Sequence, residues 1–353
     1  MTLPPLVCSS CGREFDVAEL VWRCPCGGVF DVSGPLQPVV DPAVTLGEGN
    51  TPIVRSRTLP GARFKLEFFS PTLSFKDRGA AVLASLAAHL QVGKAVVDSS
   101  GNAGTAAAAY FARAGIDCQV LVPASTSPEK LAQIEAHGAE LTLVPGSRAD
   151  TAAAAAEIAD RPGVFYASHV YHPYFMHGVK SYGYEIWQQS EGSMPSAVLV
   201  PVGNGTLLLG CYLAFSELVA AGQIDSMPAV LAVQAAGCAP LAAAFQRQDY
   251  TAAPTVAEGI AITAPPRADQ ILAAVRASGG TIVTVSDDAV IAGRRTLART
   301  EGLFVEPTAA VCYAAAAGAA NRTGPGWPLV RELLANGDVV IPLCGAGLKH
   351  PSE

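Results

Sequence analysis

Short runs of aliphatic residues alternate along this chain with longer stretches dominated by alanine. Lys94-Ala-Val-Val-Asp-Ser-Ser100, Cys118-Gln-Val-Leu-Val-Pro123 and Glu140-Leu-Thr-Leu-Val-Pro145 are too short for helices and end in turn formers, so each predicts a buried strand. Ser196-Ala-Val-Leu-Val-Pro-Val202, Ala229-Val-Leu-Ala-Val-Gln234 and Val339-Val-Ile-Pro-Leu343 repeat the pattern. Thr105 to Ala114 predicts a helix of small residues, and a second helix opens with Ser127 as N-cap and Pro128 in its first turn. Apolar strands alternating with helices imply parallel sheets covered on both faces. Ala197 to Phe215 carries no charge, yet Pro201, Gly203, Asn204, Gly205 and Thr206 interrupt it. It therefore predicts strand, loop and helix instead of a membrane span.

At 353 residues the chain has room for two domains and a small appendage. Half of it is hydrophobic and 15% is charged, which supplies a large core and excludes disorder. Lys and Arg total 23 against 30 Asp and Glu, a net charge of −7 without basic blocks. That balance argues against nucleic acid or an anionic membrane as a partner. Met1 to Val7 lacks a basic region followed by an apolar stretch, so no signal peptide is expected and the protein is expected to be cytoplasmic. A Pro-containing linker is expected over Gly34 to Pro42.

Nine cysteines, an odd number in a long chain, do not suggest a disulfide scaffold. Cys8, Cys11, Cys24 and Cys26 form two short pairs beside Gly12, Gly27 and Gly28, whose freedom permits tight turns. Such pairs can set four sulfurs around a structural zinc; a reduced redox pair is the competing reading, and the single residue inside Cys24-Pro-Cys26 is shorter than usual. A closed site of this kind is not catalytic. Cys118, Cys211, Cys238 and Cys312 stand alone in apolar runs, as core residues do.

Ligands bind beyond the carboxyl ends of strands in open parallel sheets, which makes the loops after strands informative. Ser99-Ser100-Gly101-Asn102-Ala103-Gly104 follows a strand and opens a helix, a setting that favours an anion such as a carboxylate. Pro201-Val-Gly-Asn-Gly-Thr206 is a second such turn, suited to a phosphate. Neither is a Walker loop or a dinucleotide fingerprint. Leu343-Cys-Gly-Ala-Gly-Leu-Lys349 follows the last strand. Ser74-Phe-Lys-Asp-Arg-Gly79 places Lys76 beside an aromatic, where it is either a solvated helix-end charge or an amine desolvated enough to form a Schiff base.

Leu46-Gly-Glu-Gly-Asn-Thr-Pro52, Ser-Phe-Lys76-Asp-Arg-Gly, Ser-Ser-Gly-Asn102, the loop at 203 to 206 and the terminal Gly-Ala-Gly-Leu-Lys together resemble the threonine synthase family, which includes close paralogues such as cysteate synthase. The resemblance runs in order over nearly the whole chain. It implies an α/β protein of the tryptophan-synthase-β kind (pyridoxal-phosphate fold type II), with two open twisted parallel-sheet domains and helices on both faces. It implies a knuckle over residues 1–34, a large cofactor domain from 35–83 and 180–353, and a smaller mobile domain over 84–179. Many members carry a similar four-cysteine knuckle. Lys76 would hold pyridoxal phosphate through a Schiff base and act as general base, and Asn102 would bind the ring hydroxyl. Gly203, Asn204, Gly205 and Thr206 would bind the cofactor phosphate, and Ser99 to Gly104 the carboxylate of a small amino-acid substrate. Cys344 would face the ring nitrogen, where the family usually places Thr or Ser. A neutral partner there leaves that nitrogen unprotonated and favours elimination and replacement over transamination. A homodimer is the implied assembly.

One stretch departs from the family. His172-Pro-Tyr-Phe175-Met-His-Gly-Val-Lys180 carries Phe175 where threonine synthases usually have an Arg that clamps the phosphate of O-phosphohomoserine. Lys180, Arg78 and Lys349 are the candidate replacements. His169, His172 and His177 share the stretch, and their spacing matches no helical ligand pair, so a polar wall is expected there instead of a metal. Ala257-Glu258-Gly-Ile-Ala-Ile262 resembles the corresponding segment of serine and threonine dehydratases; Glu258 is either a solvated loop acid or a neighbour of the substrate amine. The expected function is phosphate elimination from O-phosphohomoserine followed by water addition, giving threonine. The alternatives are a cysteate-synthase-like replacement on O-phosphoserine with sulfite, and a serine or threonine dehydratase. A zinc-ribbon adaptor without catalysis is disfavoured by the intact Lys76, Asn102 and phosphate loop.

Overall fold

A computed structural model of the chain describes residues 3–32, 43–191 and 193–349. The linker expected over Gly34 to Pro42 lies outside the described residues. Two compact units emerge, one from residues within 1–48 and 70–179, the other from residues within 49–69 and 180–353.

The first unit contains a fully parallel sheet of four strands. In spatial order these are Glu140–Val144, Asp117–Pro123, Lys94–Val97 and Val164–Tyr166. The expected strands are therefore present, and the helices Asn102–Ala114 and Pro128–Ala136 stand where the patterning put them, the second with Ser127 at its N-cap. Asn102–Ala114 is buried from Ala103 through Phe111, which explains its composition: small residues let a helix be enclosed on nearly every side. Lys76–His89 is likewise buried from Asp77 to Ala87 and packs on Asn102–Ala114 and Pro173–Val179, which places it in this unit. That second contact is close. A Cβ on Gly178 would lie 2.2 Å from the Arg78 carbonyl oxygen, and one on Gly79 2.5 Å from the Phe175 ring.

The cysteine segment forms its own small antiparallel sheet, Glu14–Phe15, Leu6–Cys8 and Phe30–Val32. Trp22 fastens it to the rest of the unit. The indole enters the core formed by Val96, Leu121, Ala155, Ala159 and Tyr166 and donates to Asp160 Oδ1 at 2.8 Å. Tyr166 and Tyr171 meet it edge-on, with centroids at 5.3 and 5.0 Å.

The second unit holds six strands in the order Ile282–Val285, Ala229–Ala235, Ala197–Pro201, Val339–Pro342, Ala62–Lys65 and Ile53–Arg55. Five run parallel. The sixth corrects the expectation of a purely parallel sheet: Ile53–Arg55 pairs antiparallel with Ala62–Lys65 across a short turn, where an edge strand tolerates the exposed Val54 and Arg55. Residues 197–215 form a strand, a loop and the start of the helix Thr206–Ala220, as the breakers within that run imply. Pro307–Gly318 packs across the central strands with Ala309 to Ala316 buried. Cys118, Cys211, Cys238 and Cys312 are all buried. No helix among the described residues is long and apolar enough to cross a membrane.

Candidate active site

In the first unit, the helix Lys76–His89 starts at the lysine itself, with Phe75 at the N-cap and no side-chain cap. The approach to that helix is fixed by Asp77, whose carboxylate accepts from the Thr72 amide at 2.7 Å and from the Thr72 hydroxyl. The half-buried Lys76 ammonium lies 4.4 Å from the centre of the Phe75 ring and 5.8 Å from that of Phe175. Ring faces attract a cation while removing water from it. Such a setting suits an amine that does covalent chemistry.

Ser99 to Gly104 leaves the carboxyl end of Lys94–Val97 and enters Asn102–Ala114, with Gly101 as N-cap. The turn is drawn tight: a Cβ on Gly104 would stand 1.8 Å from the Ser99 carbonyl oxygen. First-turn N–H groups of that helix have no helical carbonyl behind them, which is what an anionic ligand uses. Beneath the loop, the buried Asp98 accepts from the Tyr166 hydroxyl at 2.8 Å. Burial pushes the Asp98 carboxyl up, against the opposing pull of Arg148 and Tyr166.

In the second unit, Val202 to Gly205 joins Ala197–Pro201 to Thr206–Ala220, and Gly205 caps the helix in the left-handed region at φ +78°. A Cβ on Gly203 would come within 2.8 Å of the Ile260 Cα, and one on Gly205 within 2.3 Å of Ile271. A tight turn with glycine on either side of Asn204, at the start of a long helix, fits a phosphate bound through backbone N–H groups. Cys344 follows the neighbouring strand Val339–Pro342, and the pairing Val198↔Val340 carries both loops to the same sheet edge. Its buried thiol lies 3.8 Å from the Pro342 carbonyl oxygen. Thus Lys76, Asn102 and Ser99 to Gly104 share one unit, and Gly203 to Thr206 and Cys344 share the other.

The motif from Leu46 to Pro52 supplies further residues that motif spacing alone did not assign. Glu48 accepts from the Tyr110 hydroxyl at 2.7 Å within the first unit. In the second, the fully buried Lys65 donates to the Thr51 carbonyl at 2.8 Å, the Thr51 hydroxyl at 2.7 Å and Glu185 at 2.8 Å. Asn50 N–H donates to the other Glu185 oxygen at 2.8 Å. A buried charge held this way fixes the backbone around it. A lysine inside an apolar strand pattern was the available signal.

Two of the three candidate replacement cations are also placed. Lys180 donates to both Glu217 oxygens at 3.0 and 3.2 Å, beside Tyr184, which donates to the same carboxylate. Burial lowers its ammonium, with Glu217 opposing. Lys180 is thus committed to a carboxylate within its own unit. Arg78 is 2% exposed within Lys76–His89. The side chain of Lys349 lies outside the described residues. Glu258 is exposed in a single turn, Glu258–Ile260.

The four N-terminal sulfurs lie within 4.8 Å of one another, with Cys8 to Cys26 at 3.5 Å and Cys11 to Cys24 at 3.6 Å. A tetrahedral zinc at ~2.3 Å from each sulfur would separate them by about 3.8 Å. Gly12 and Gly27 adopt φ of +72° and +87° in the turns after each pair, and a Cβ on Gly28 would strike Cys8 Sγ at 2.6 Å. Burial pushes the Cys8 thiol up, but hydrogen bonds from the Cys11 and Ser10 backbone and from the Cys26 and Cys11 thiols prevail, leaving it at about 6.

Comparison with known proteins shows the family of the chain. The family described as pyridoxal-phosphate dependent enzyme matches residues 44–345. Threonine synthase of Methanosarcina acetivorans is 32% identical, over 88% of this chain and 85% of that protein. Threonine synthase of Mycobacterium bovis is 35% identical, over 87% of this chain and 84% of that protein. Among solved structures, maize serine racemase superposes with a TM-score of 0.70 at 21% identity, over 85% of this chain and 88% of that one, a likeness of fold.

The Tyr166–Asp98 contact generates a stability prediction. Tyr166→Phe leaves a buried carboxyl without its donor and is expected to lower unfolding free energy by about 1–3 kcal/mol, read by chemical denaturation.

Proposed function

The chain belongs to the threonine synthase family of pyridoxal-phosphate-dependent enzymes, and from that premise we infer that it converts O-phosphohomoserine and water to threonine and phosphate. The observation that carries the reading is the ring-flanked Lys76 at a helix start in the first unit; the Gly203–Gly205 turn is a separate anion-binding element of the second. Both elements fit pyridoxal phosphate, which when bound would supply an electron sink for removing the substrate's α and β protons and expelling phosphate from its γ carbon, before water adds at the β carbon.

The chain's own groups divide the remaining work. Lys76 would hold the cofactor covalently, and its free amine would serve as the general base for the substrate α-proton and return protons later. Asn102 hydrogen-bonds the cofactor hydroxyl, and the N–H groups from Gly203 to Thr206 hold its phosphate. Cys344 would offer the ring nitrogen a neutral thiol in place of a carboxylate that would keep a proton there. The turn from Ser99 to Gly104 receives the substrate carboxylate. In this reading the expected cofactor domain, 35–83 and 180–353, centres on the second unit and the mobile substrate domain, 84–179, on the first; the expected boundary at 83/84 falls inside the helix Lys76–His89, which belongs to the first unit. The working form is a cytoplasmic homodimer. Cys8, Cys11, Cys24 and Cys26 hold a structural zinc, supported by sulfur separations close to those a tetrahedral ion demands.

A second reading, a serine or threonine dehydratase, is favoured by Phe175, which puts an apolar ring over Lys76 where a phosphate clamp would need charge.

Protein supplied with pyridoxal phosphate is expected to release phosphate and threonine from O-phosphohomoserine in equal amounts. Release of keto acid from free serine or threonine, with O-phosphohomoserine inert, would transfer the assignment to the dehydratase. Lys76→Ala is expected to abolish both turnover and the borohydride-trapped cofactor adduct; a normal adduct in that variant removes Lys76 from its role. Metal analysis is expected to find one zinc per chain, lost in Cys8→Ser with a lowered melting temperature; equal metal content in the two proteins would discard the zinc site.

A further inference from the structure

Within the first unit, the cysteine segment and the four-stranded sheet enclose a cleft of about 570 Å³, a size usual for small-ligand sites. Residues 19–27 form one wall. The other is the end of the helix Arg148–Ala159 with residues 160–164, which lead into the strand Val164–Tyr166. Val164 pairs with Lys94 at the start of two parallel strands, whereas the Ser99 turn leaves the far end of Lys94–Val97. The cleft therefore lies at the amino edge of this sheet, opposite the edge that carries the Ser99 turn.

One indole places opposite charges along the cleft. Trp22 is buried, and its Nε1 donates to Asp160 Oδ1 at 2.8 Å, while the Arg23 guanidinium carbon stands 4.6 Å from its ring centre. Arg23 and Asp160 thus sit on the same side chain, yet no ion pair joins them. Arg161, the next residue after Asp160, is exposed and its guanidinium makes no hydrogen bond or ion pair with a described residue.

Two guanidiniums, Arg23 and Arg161, and two carboxylates, Glu19 and Asp160, line the cleft, so its charges balance. Glu19 gives one oxygen to the Asp16 N–H at 2.9 Å, as part of a helix cap. Asp160 ends the helix Arg148–Ala159, and the last carbonyls of a helix add to the attraction for a cation. Opposite charges that face one gap unpaired suit a ligand carrying both signs. A simple anion would meet the carboxylates, and a simple cation the guanidiniums. Leu20, Val21, Pro25 and Val164 supply apolar surface between them.

We propose that this cleft binds an aliphatic α-amino acid. Its carboxylate lies on Arg23 and Arg161, its ammonium on Asp160 and the helix end, and its side chain on the apolar wall. The site does not depend on the synthase reading. Because it needs both walls, an occupant ties the cysteine segment to the sheet and stabilises the unit by mass action.

The test uses the full protein loaded with pyridoxal phosphate. L-Leucine is titrated by calorimetry with cofactor absorbance followed in parallel, beside N-acetyl-L-leucine, which lacks the ammonium, and L-leucinamide, which lacks the carboxylate. L-Leucine is expected to bind at least ~10-fold tighter than either derivative, as one hydrogen bond to a charged group implies. Arg161→Met and Asp160→Asn are each expected to weaken it ~10-fold and to leave cofactor absorbance as in wild type. Asn keeps an oxygen for the Trp22 N–H and both positions are exposed, so melting temperatures within a few degrees of wild type are expected. Arg23→Met repeats the test from the other wall. Absence of saturable binding, equal affinity for the derivatives, or affinity unchanged in R161M and D160N overturns the site. Binding that follows a change in cofactor absorbance and survives both substitutions belongs to the active site and overturns it as well.

Discussion

Backbone passes against backbone at the turns on which both sheets depend, so closely that one methyl group would collide. A Cβ on Gly104 would stand 1.8 Å from the Ser99 carbonyl oxygen, and one on Gly203 2.8 Å from the Ile260 Cα. Removing the side chain has two effects. It lets a helix begin close behind the strand before it, and it leaves the first N–H groups of that helix open to a ligand. In parallel strands these openings fall on one edge, so each unit offers anion-binding backbone before any catalytic side chain is added. An exchange of one polar side chain for another leaves this part of the site in place.

Side chains then decide which chemistry the openings serve. Most charged groups near them are already engaged in holding the frame: Lys65 with Thr51 and Glu185, and Lys180 with Glu217. Each is buried, where losing one member of the pair would strand a charge in an apolar setting. Lys76 has a different environment, flanked by the rings of Phe75 and Phe175 at 4.4 and 5.8 Å. Rings desolvate an amine, a setting suited to covalent work.

Strands and strand-to-helix turns were legible in the sequence because local information determines them: aliphatic runs, glycine where the backbone must turn, a Ser-Pro helix start at Ser127. The antiparallel edge strand Ile53–Arg55 was not, since its run is short and its direction is set by a turn and a partner. Trp22 anchoring the cysteine segment against Tyr166 depends on a contact between residues 144 positions apart, which no periodicity reports. Lys180 shows the same limit from the other side. It stands in the right stretch to replace a lost cation, and only the fold reveals the carboxylate of Glu217 upon it.

Phe175 makes the remaining choice between substrates a question of desolvation. An apolar ring over the lysine excludes water, and a phosphate brought there loses hydration that only compensating charge and donors restore. A neutral hydroxyl makes no such demand. An apolar ring 5.8 Å from the Lys76 ammonium therefore favours an uncharged leaving group unless charge and donors elsewhere in the site restore what a phosphate loses.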